Sequence, residues 1–351
     1  MPGGRLTLVQ SHSQRKPSHV IVLDRRRIVF GYRPFPFSIV QLSYCLACQT
    51  QKRFTIPPGI SSPMHLRTMT RKDIPAGLRL NELAGWNQTA ADWNRFLDAS
   101  PEGCFVAEID GQVRGTTTTI SFENRFAWVS MVLVDSEYRG RGVGTRLLER
   151  AIAYLDDRKV PTIKLDATPQ GLPIYQKLGF VAEYEIARWI LRRSSGETAE
   201  TILSPRTRSS ESLTQESWES ICKADRELFG ADRSLLLQSL QRETPDLTTT
   251  IWCAGTLDGY AFARRGYFAD HFGPAIARDA GTTFKLLEGF LTRSRRETLI
   301  ADCPRSNREA SDLLKSGGFV YSRPLTRMYR GSNDHAGQPE LICAIAGPEF
   351  G

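Results

Sequence analysis

The stretch "VDSEYRGRGVGTRLLER", Val134 to Arg150, places Gly140, Gly142 and Gly144, with Arg139 and Arg141 among them, directly before a helical pattern. A segment that gives up side chains and gathers positive charge at a helix start suits a phosphate. Backbone amides point outward there, the helix dipole adds attraction, and glycine lets the backbone approach closely. The triphosphate loop G-x-x-x-x-G-K-[ST] is absent from the chain. A dinucleotide loop is the serious rival, because Asp166 ends the next strand at about the expected distance. Against it, the third fingerprint glycine falls at Thr145, and Asp135 to Arg139 intervene where that loop turns straight off its strand. The remaining pattern, Arg-x-x-Gly-x-Gly at Arg139, Gly142 and Gly144, fits the pyrophosphate of coenzyme A. Arg141 adds charge and Thr145 a hydroxyl in the first turn.

Upstream, "HLRTMT" reads as a strand, followed by "RKDIPAGLRLNELAGW" with Asp73 as N-cap and Pro75 in the first turn. "TAADWNRFLDAS" reads as a second helix. Three strands follow ("CFVAEID", "QVRGTTTTISF", "FAWVSMVLVD"), turned at Asp110-Gly111 and Asn124-Arg125. Downstream, the loop's helix "GTRLLERAIAYLDDR" precedes a strand "TIKLDA", a helix "LPIYQKLG" and a strand "FVAEYEIARWIL". The polar run 194–212 has the composition of a linker. Beyond Leu213 the pattern repeats. Asp166 aligns with Asp302, Gly179-Phe180 with Gly318-Phe319, and Arg188 with Arg327, but the glycine-arginine loop is missing and Leu314 stands where Tyr175 does.

With "RGRGVG" and "IYQKLGF" (Ile174 to Phe180) about 30 residues apart, the sequence resembles the GNAT superfamily of N-acetyltransferases. The order of elements agrees over 64–191, and "LDATPQGLPIYQKLGF" with "ICAIAGPEFG" is similar to a bacterial two-domain subgroup with a degenerate second domain. The resemblance implies an α/β fold with a mixed sheet, the acyl-CoA N-acyltransferase fold in tandem, with a catalytic domain over 64–193 and a degenerate copy over 213–351. It implies acetyl-CoA as co-substrate, with the backbone of Val132, Leu133 and Val134 along the pantetheine arm. Amides from Arg139, Gly140, Arg141, Gly142, Val143, Gly144 and Thr145 would hold the pyrophosphate. An acceptor amine would attack the thioester directly, and a backbone N–H would stabilise the oxyanion.

By the same resemblance Tyr175 is the proton donor to the departing thiolate; its structural alternative is a ring packed beside Leu178 and Phe180. Asp135 leads the carboxylates that could act as base, alongside Glu137, Glu108, Glu123 and Asp166, and a water chain is the alternative. Asp166 reads equally well as structural, given its counterpart Asp302. Trp86 and Asn87 are the expected acceptor contacts, while Trp93 reads as core. The second copy is expected to wall the acceptor cleft or support the first sheet, as neither a coenzyme A site nor a catalyst. The last strand, "ELICAIAG", could complete either sheet. The expected acceptor is a small-molecule amine; a protein terminus or lysine, and a non-catalytic acyl-CoA sensor, are the alternatives.

The net charge of +8 resembles a nucleic-acid signature until it is located. Residues 1–63 hold nine of the 46 Lys/Arg but one of the 38 Asp/Glu, so the two signs balance over 64–351. The basicity belongs to the leader, and no nucleic-acid partner is expected. That leader reads either as a transit segment or as residues ahead of a true start at Met64, the second being preferred. No run of about 18 apolar residues occurs, so neither a membrane span nor a membrane partner is expected. Cys45-x-x-Cys48 has no second pair, so no metal site is expected. Scattered cysteines fit reduced thiols in the cytoplasm.

Overall fold

A computed structural model describes residues 63–193 and 213–351; the expectations for the leader, the Cys45–Cys48 pair and the linker lie outside them. The first half runs β1 (His65–Thr68), α1 (Ile74–Ala84), α2 (Ala90–Ala99), β2 (Phe105–Ile109), β3 (Gln112–Phe122), β4 (Phe126–Val134), α3 (Val143–Asp157), β5 (Thr162–Ala167), α4 (Leu172–Lys177) and β6 (Val181–Arg192). The second half repeats it: α5 (Gln215–Phe229), α6 (Ser234–Glu243), β7 (Thr249–Cys253), β8 (Thr256–Arg265), β9 (Asp270–Ala277), α7 (Ala280–Arg293), β10 (Thr298–Pro304), α8 (Arg308–Ser316), β11 (Val320–Gly331) and a short β12 (Ile342–Ala344).

Local chemistry explains these elements. Asp73 stands at the start of α1 with Pro75 in its first turn. Its carboxylate reaches back to the Thr70 N–H at 2.8 Å and to Arg67, rather than forward into the helix. Asp110 and Gly111 take positive φ and close the β2–β3 hairpin as expected; the β3–β4 turn centres one residue earlier than expected, with positive φ at Glu123 and Asn124. Helix α3 buries Val143, Leu147, Leu148, Ala151, Ile152 and Leu155 at helical spacing against Phe105, Ala127 and Val129 of the sheet. Each fully buried aliphatic side chain contributes about 1.5–3 kcal/mol. The two repeats close their fourth helices identically. The N–H of Phe180 reaches Tyr175 O at 3.1 Å and that of Phe319 reaches Leu314 O at 3.0 Å, with Gly179 and Gly318 both left-handed.

The halves share one mixed sheet, ordered β1-β2-β3-β4-β5-β11-β6-β10-β9-β8-β7. Each half's long last strand is exchanged. β11 lies between β5 and β6, and β6 pairs in turn with β10. The repeat's aligned residues therefore pair crosswise. Arg327 holds Asp166 through two bonds of 2.9 Å, and Arg188 holds Asp302 at 2.8 and 2.7 Å.

The final strand completes the second half. β12 pairs with β9, and the Ile345 N–H reaches Asp302 O on β10 at 2.9 Å. Segment 342–346 thus fills the gap between β9 and β10, with Cys343 and Ala344 buried beside Phe272, Leu286 and Leu299, and Ile342, Ile345 and Ala346 in the cluster that holds Phe262 and Phe350.

Candidate active site

In the first half the corresponding gap is open. β4 and β5 pair in parallel only at Ala127 with Ile163 and Trp128 with Lys164, then diverge. A β-bulge opposite β3 helps to separate them, with Met131 in the left-handed region at φ 52°. A bulge strips carbonyls of ladder partners, and the buried threonines of β3 supply them. Thr116 Oγ1 donates to Met131 O at 2.8 Å, and Thr117 Oγ1 to Ser130 O at 3.4 Å. The run "TTTT" reads from sequence as an ordinary strand; its role in fixing the bulge was missed there.

The loop after β4 is organised by Asp135. Its Oδ2 accepts from Arg79 at 2.9 Å and Arg114 at 3.1 Å, and its Oδ1 from the Glu137 N–H at 3.3 Å. Burial disfavours its charge, but the hydrogen bonds from Arg79 and Arg114 outweigh that and hold the carboxyl below its usual range. A carboxylate so held is a weak proton acceptor, and it does not line the cavity described below. Its geometry fits a turn-forming role better than the base expected from sequence.

Arg139 Nε bonds Val134 O at 3.1 Å, and Gly140 and Gly142 take φ of 71° and 79°, with open space where a Cβ would stand. Gly142 caps α3, so the amides of Gly140 to Thr145 make no hydrogen bond within the described residues. Arg141 and Gly142 are exposed, and Gly144 and Thr145 are partly so. Unpaired amides at a helix start fit an anion. The second half differs at this point. Asp279 caps α7, its Oδ1 accepting from the Thr282 N–H at 2.7 Å, so a side-chain carboxylate already stands where an anion would.

At the mouth of the β4–β5 gap lies a narrow cavity of about 60 Å³. Both halves line it: Trp86, Asn87, Gln88, Val129 to Val132, Leu165, Asp166, Thr168 and Tyr175 from the first, and Arg264, His271, Ile300, Arg323, Leu325, Pro348 and Glu349 from the second, with Arg188 on the exchanged strand β6.

Tyr175 on α4 packs edge-on to Phe180, with ring centroids 6.1 Å apart, so the packing expected of it is present. Its hydroxyl makes no hydrogen bond within the described residues, and burial pushes its pKa up to about 12. The phenol therefore carries its proton at neutral pH. Val132 lines the cavity and Val134 is half-buried against the α3 core, whereas the Leu133 side chain turns into the opposite core.

Asn87 and Trp86 both line the cavity, but the Asn87 amide is already committed. Its Oδ1 accepts from the N–H groups of Phe268 (3.1 Å) and Ala269 (3.0 Å), and its Nδ2 donates to Ala269 O at 3.0 Å. It staples the second half's 266–269 turn to the first half, and a Cβ at Gly266 would meet it at 2.0 Å. Trp93 is fully buried core, as expected.

Sequence reasoning missed the charged wall, whose members lie far apart in the chain. His271 Nδ1 accepts from Arg264 at 3.1 Å, and its Nε2 lies 3.2 Å from Asp302. Burial keeps this imidazole below its usual pKa despite Asp302, and Arg264 adds to the effect. Arg264 also holds Asp92 at 2.7 Å and bonds Glu349. Among the described residues no cluster of His, Cys, Asp or Glu forms a metal site, and no helix is long and apolar enough to cross a membrane.

Comparison with known proteins places this geometry. Residues 76–180 match the acetyltransferase (GNAT) family, and residues 221–342 match an acetyltransferase (GNAT) domain. The chain is 25% identical over 268 residues to holothin acyltransferase of Pseudoalteromonas sp., covering 76% of this chain and 87% of that one. It is 25% identical over 242 residues to the uncharacterized N-acetyltransferase YitH of Bacillus subtilis, covering 69% and 83%. A putative acetyltransferase from Pyrococcus horikoshii shares the fold, with a TM-score of 0.69 at 23% identity over 82% of this chain and 96% of that one. The chain belongs to the GNAT acetyltransferases: it is an acyltransferase carrying two GNAT domains in tandem.

Proposed function

We propose that the protein moves an acetyl group from acetyl-CoA to the primary amine of a small molecule, by direct attack within a ternary complex. The observation that carries this reading is the cavity at the β4–β5 gap, lined by Tyr175 and walled by the second half. A site enclosed by both halves suits a compact acceptor better than a polypeptide. Catalysis belongs to the domain spanning about 64–193. The copy spanning about 213–351, whose own gap is filled by 342–346 and whose α7 is capped by Asp279, serves as wall and support.

For the donor, the free amides and positive-φ glycines of Gly140 to Thr145 fit a pyrophosphate, with Arg139 and Arg141 adding charge. Val132 to Val134 flank the gap in which an extended arm would lie. Bound there, acetyl-CoA supplies an activated acyl carbon. As the amine nitrogen bonds to that carbon and the C–S bond breaks, Tyr175 gives its phenolic proton to the leaving sulfur. The proton shed by the nitrogen returns to the phenol through water, so no side-chain base is required. Trp86 offers an apolar face to the acceptor, and Asn87 fixes the wall beside it.

The test is release of coenzyme A thiol across a panel of small amines, run beside peptides with free N-termini. Amine-dependent release supports the reading. Release with peptides alone would move the acceptor to proteins, and binding of acetyl-CoA without release on any substrate would make the protein a sensor.

A further inference from the structure

Most charges on the cavity wall are answered by a partner. Asp166 is held by Arg327, and Arg188 by Asp302. Besides the buried Arg264 Nε and His271 Nε2, which have no hydrogen-bond partner among the described residues, Arg323 and Glu349 are not fully answered. Arg323, on β11 at the irregularity where its register with β6 shifts, is half-buried, lines the cavity and makes no hydrogen bond or ion pair within the described residues. Burial lowers its pKa and neighbouring Arg188 lowers it further; nearby Asp302 is already spent on Arg188 and His271. A guanidinium in that position lacks an anion.

Glu349 has the opposite deficit. It is 3% exposed; one carboxylate oxygen bonds Arg264, and the other, Oε2, is buried without a hydrogen bond. Arg264 and Arg95 together face three carboxylates, those of Asp92, Glu243 and Glu349, so this side carries excess negative charge. Leaving a buried charged oxygen without a donor is costly, and a ligand that supplies one recovers the cost.

We propose that the acceptor is zwitterionic, an amino-acid-like molecule whose carboxylate pairs with Arg323 and whose ammonium donates to Glu349 Oε2, then releases one proton to bulk water to leave the neutral amine that attacks. The inference rests on the acceptor reading above and narrows it to a substrate class. A planar guanidinium and a carboxylate match in geometry as well as charge. Both groups line the same cavity, so the proposal needs only one ligand.

The experiment uses a series of α- and β-amino acids, each beside its carboxamide and its decarboxylated amine, on the full-length protein. Calorimetry reads binding to the protein loaded with coenzyme A, and thiol release reads turnover with acetyl-CoA. At least one free acid is expected to bind and turn over about 30-fold better than its carboxamide, the scale of a hydrogen bond to a charged group. Arg323→Met brings that ratio close to one, whereas Arg323→Lys keeps part of it. Glu349→Gln weakens acids and decarboxylated amines together and leaves the preference for the carboxylate. Carboxylate-blind turnover, or a preference that survives Arg323→Met, overturns the ligand class and leaves acetyl transfer standing. Carboxylate-dependent binding with no thiol release overturns acetyl transfer instead, and no binding by any acid overturns the ligand class.

Discussion

At the scale of single residues, the proposed reaction rests on Tyr175 and the expected pH dependence of stability on His271. Tyr175→Phe removes one hydroxyl from a ring whose packing on Phe180 persists. It is expected to lower kcat at least about tenfold, the low end for a positioned proton donor, while calorimetric affinity for acetyl-CoA is unchanged. Unchanged kcat removes Tyr175 from the mechanism. For His271, the folded chain refuses a proton that the unfolded chain binds below its ordinary pKa of 6.5. Stability should therefore fall as pH drops below 6.5, by up to about 1.4 kcal/mol per pH unit for one such group. Thermal melts between pH 7 and 5 check this, and His271→Gln is expected to flatten the slope; an identical slope in the variant contradicts it. Tyr175 was legible in the sequence because "IYQKLGF" carries it as a local string. His271 offered no readable partner, since Asp302 and Arg264 reach it only through strand pairing. The surroundings of Asp135 were hidden for a related reason: its partners Arg79 and Arg114 lie on distant elements, and no local pattern announces a carboxylate already held by two arginines.

At the scale of elements, the reciprocal ion pairs test the strand exchange. Arg327 is buried against Asp166 and stacks 4.5 Å from the Trp128 ring. Arg327→Met strands a buried carboxylate and is expected to cost about 3–5 kcal/mol, while adding Asp166→Leu should recover most of it. Urea denaturation of the single and double variants measures both; independent, additive losses contradict the pairing. The strands and helices of the first half could be read from local pattern, as could the Gly-Phe closures of both repeats; α5, α6, β7 and β8 were not read. The exchange itself could not be. Asp166 and Asp302 are equivalent, as are Arg188 and Arg327, so pairing within a repeat and pairing across repeats look alike in sequence. Tertiary geometry alone separates them. The phosphate-suited loop was legible because its glycines are needed at positive φ, as Gly140 and Gly142 confirm. Gly142→Ala is expected to cost about 1–2 kcal/mol through left-handed strain and to weaken acetyl-CoA binding in calorimetry. Unaltered affinity would contradict the role given to the loop.

At the scale of the whole molecule, the central sheet makes the two halves dependent on each other. β11 supplies the neighbour that β5 requires, and β6 does the same for β10. Residues 63–193 produced alone should expose these edges and lack a cooperative melt, whereas the full chain unfolds in one transition; a cooperative, monomeric first half contradicts this. The same interlocking explains why a copy without its own loop is retained: it supplies Arg264, His271, Arg323 and Glu349 to the cavity wall. Acetyl transfer is the property on which the roles given to the loop, Tyr175 and the cavity depend. Purified protein incubated with acetyl-CoA and a small-amine panel, followed by thiol release and by the mass of the amine, tests it directly. The prediction is amine-dependent thiol release matched mole for mole by an amine heavier by one acetyl group, and lost in proportion in Tyr175→Phe. Acetyl-CoA bound at the loop with no amine raising thiol release above background would contradict it.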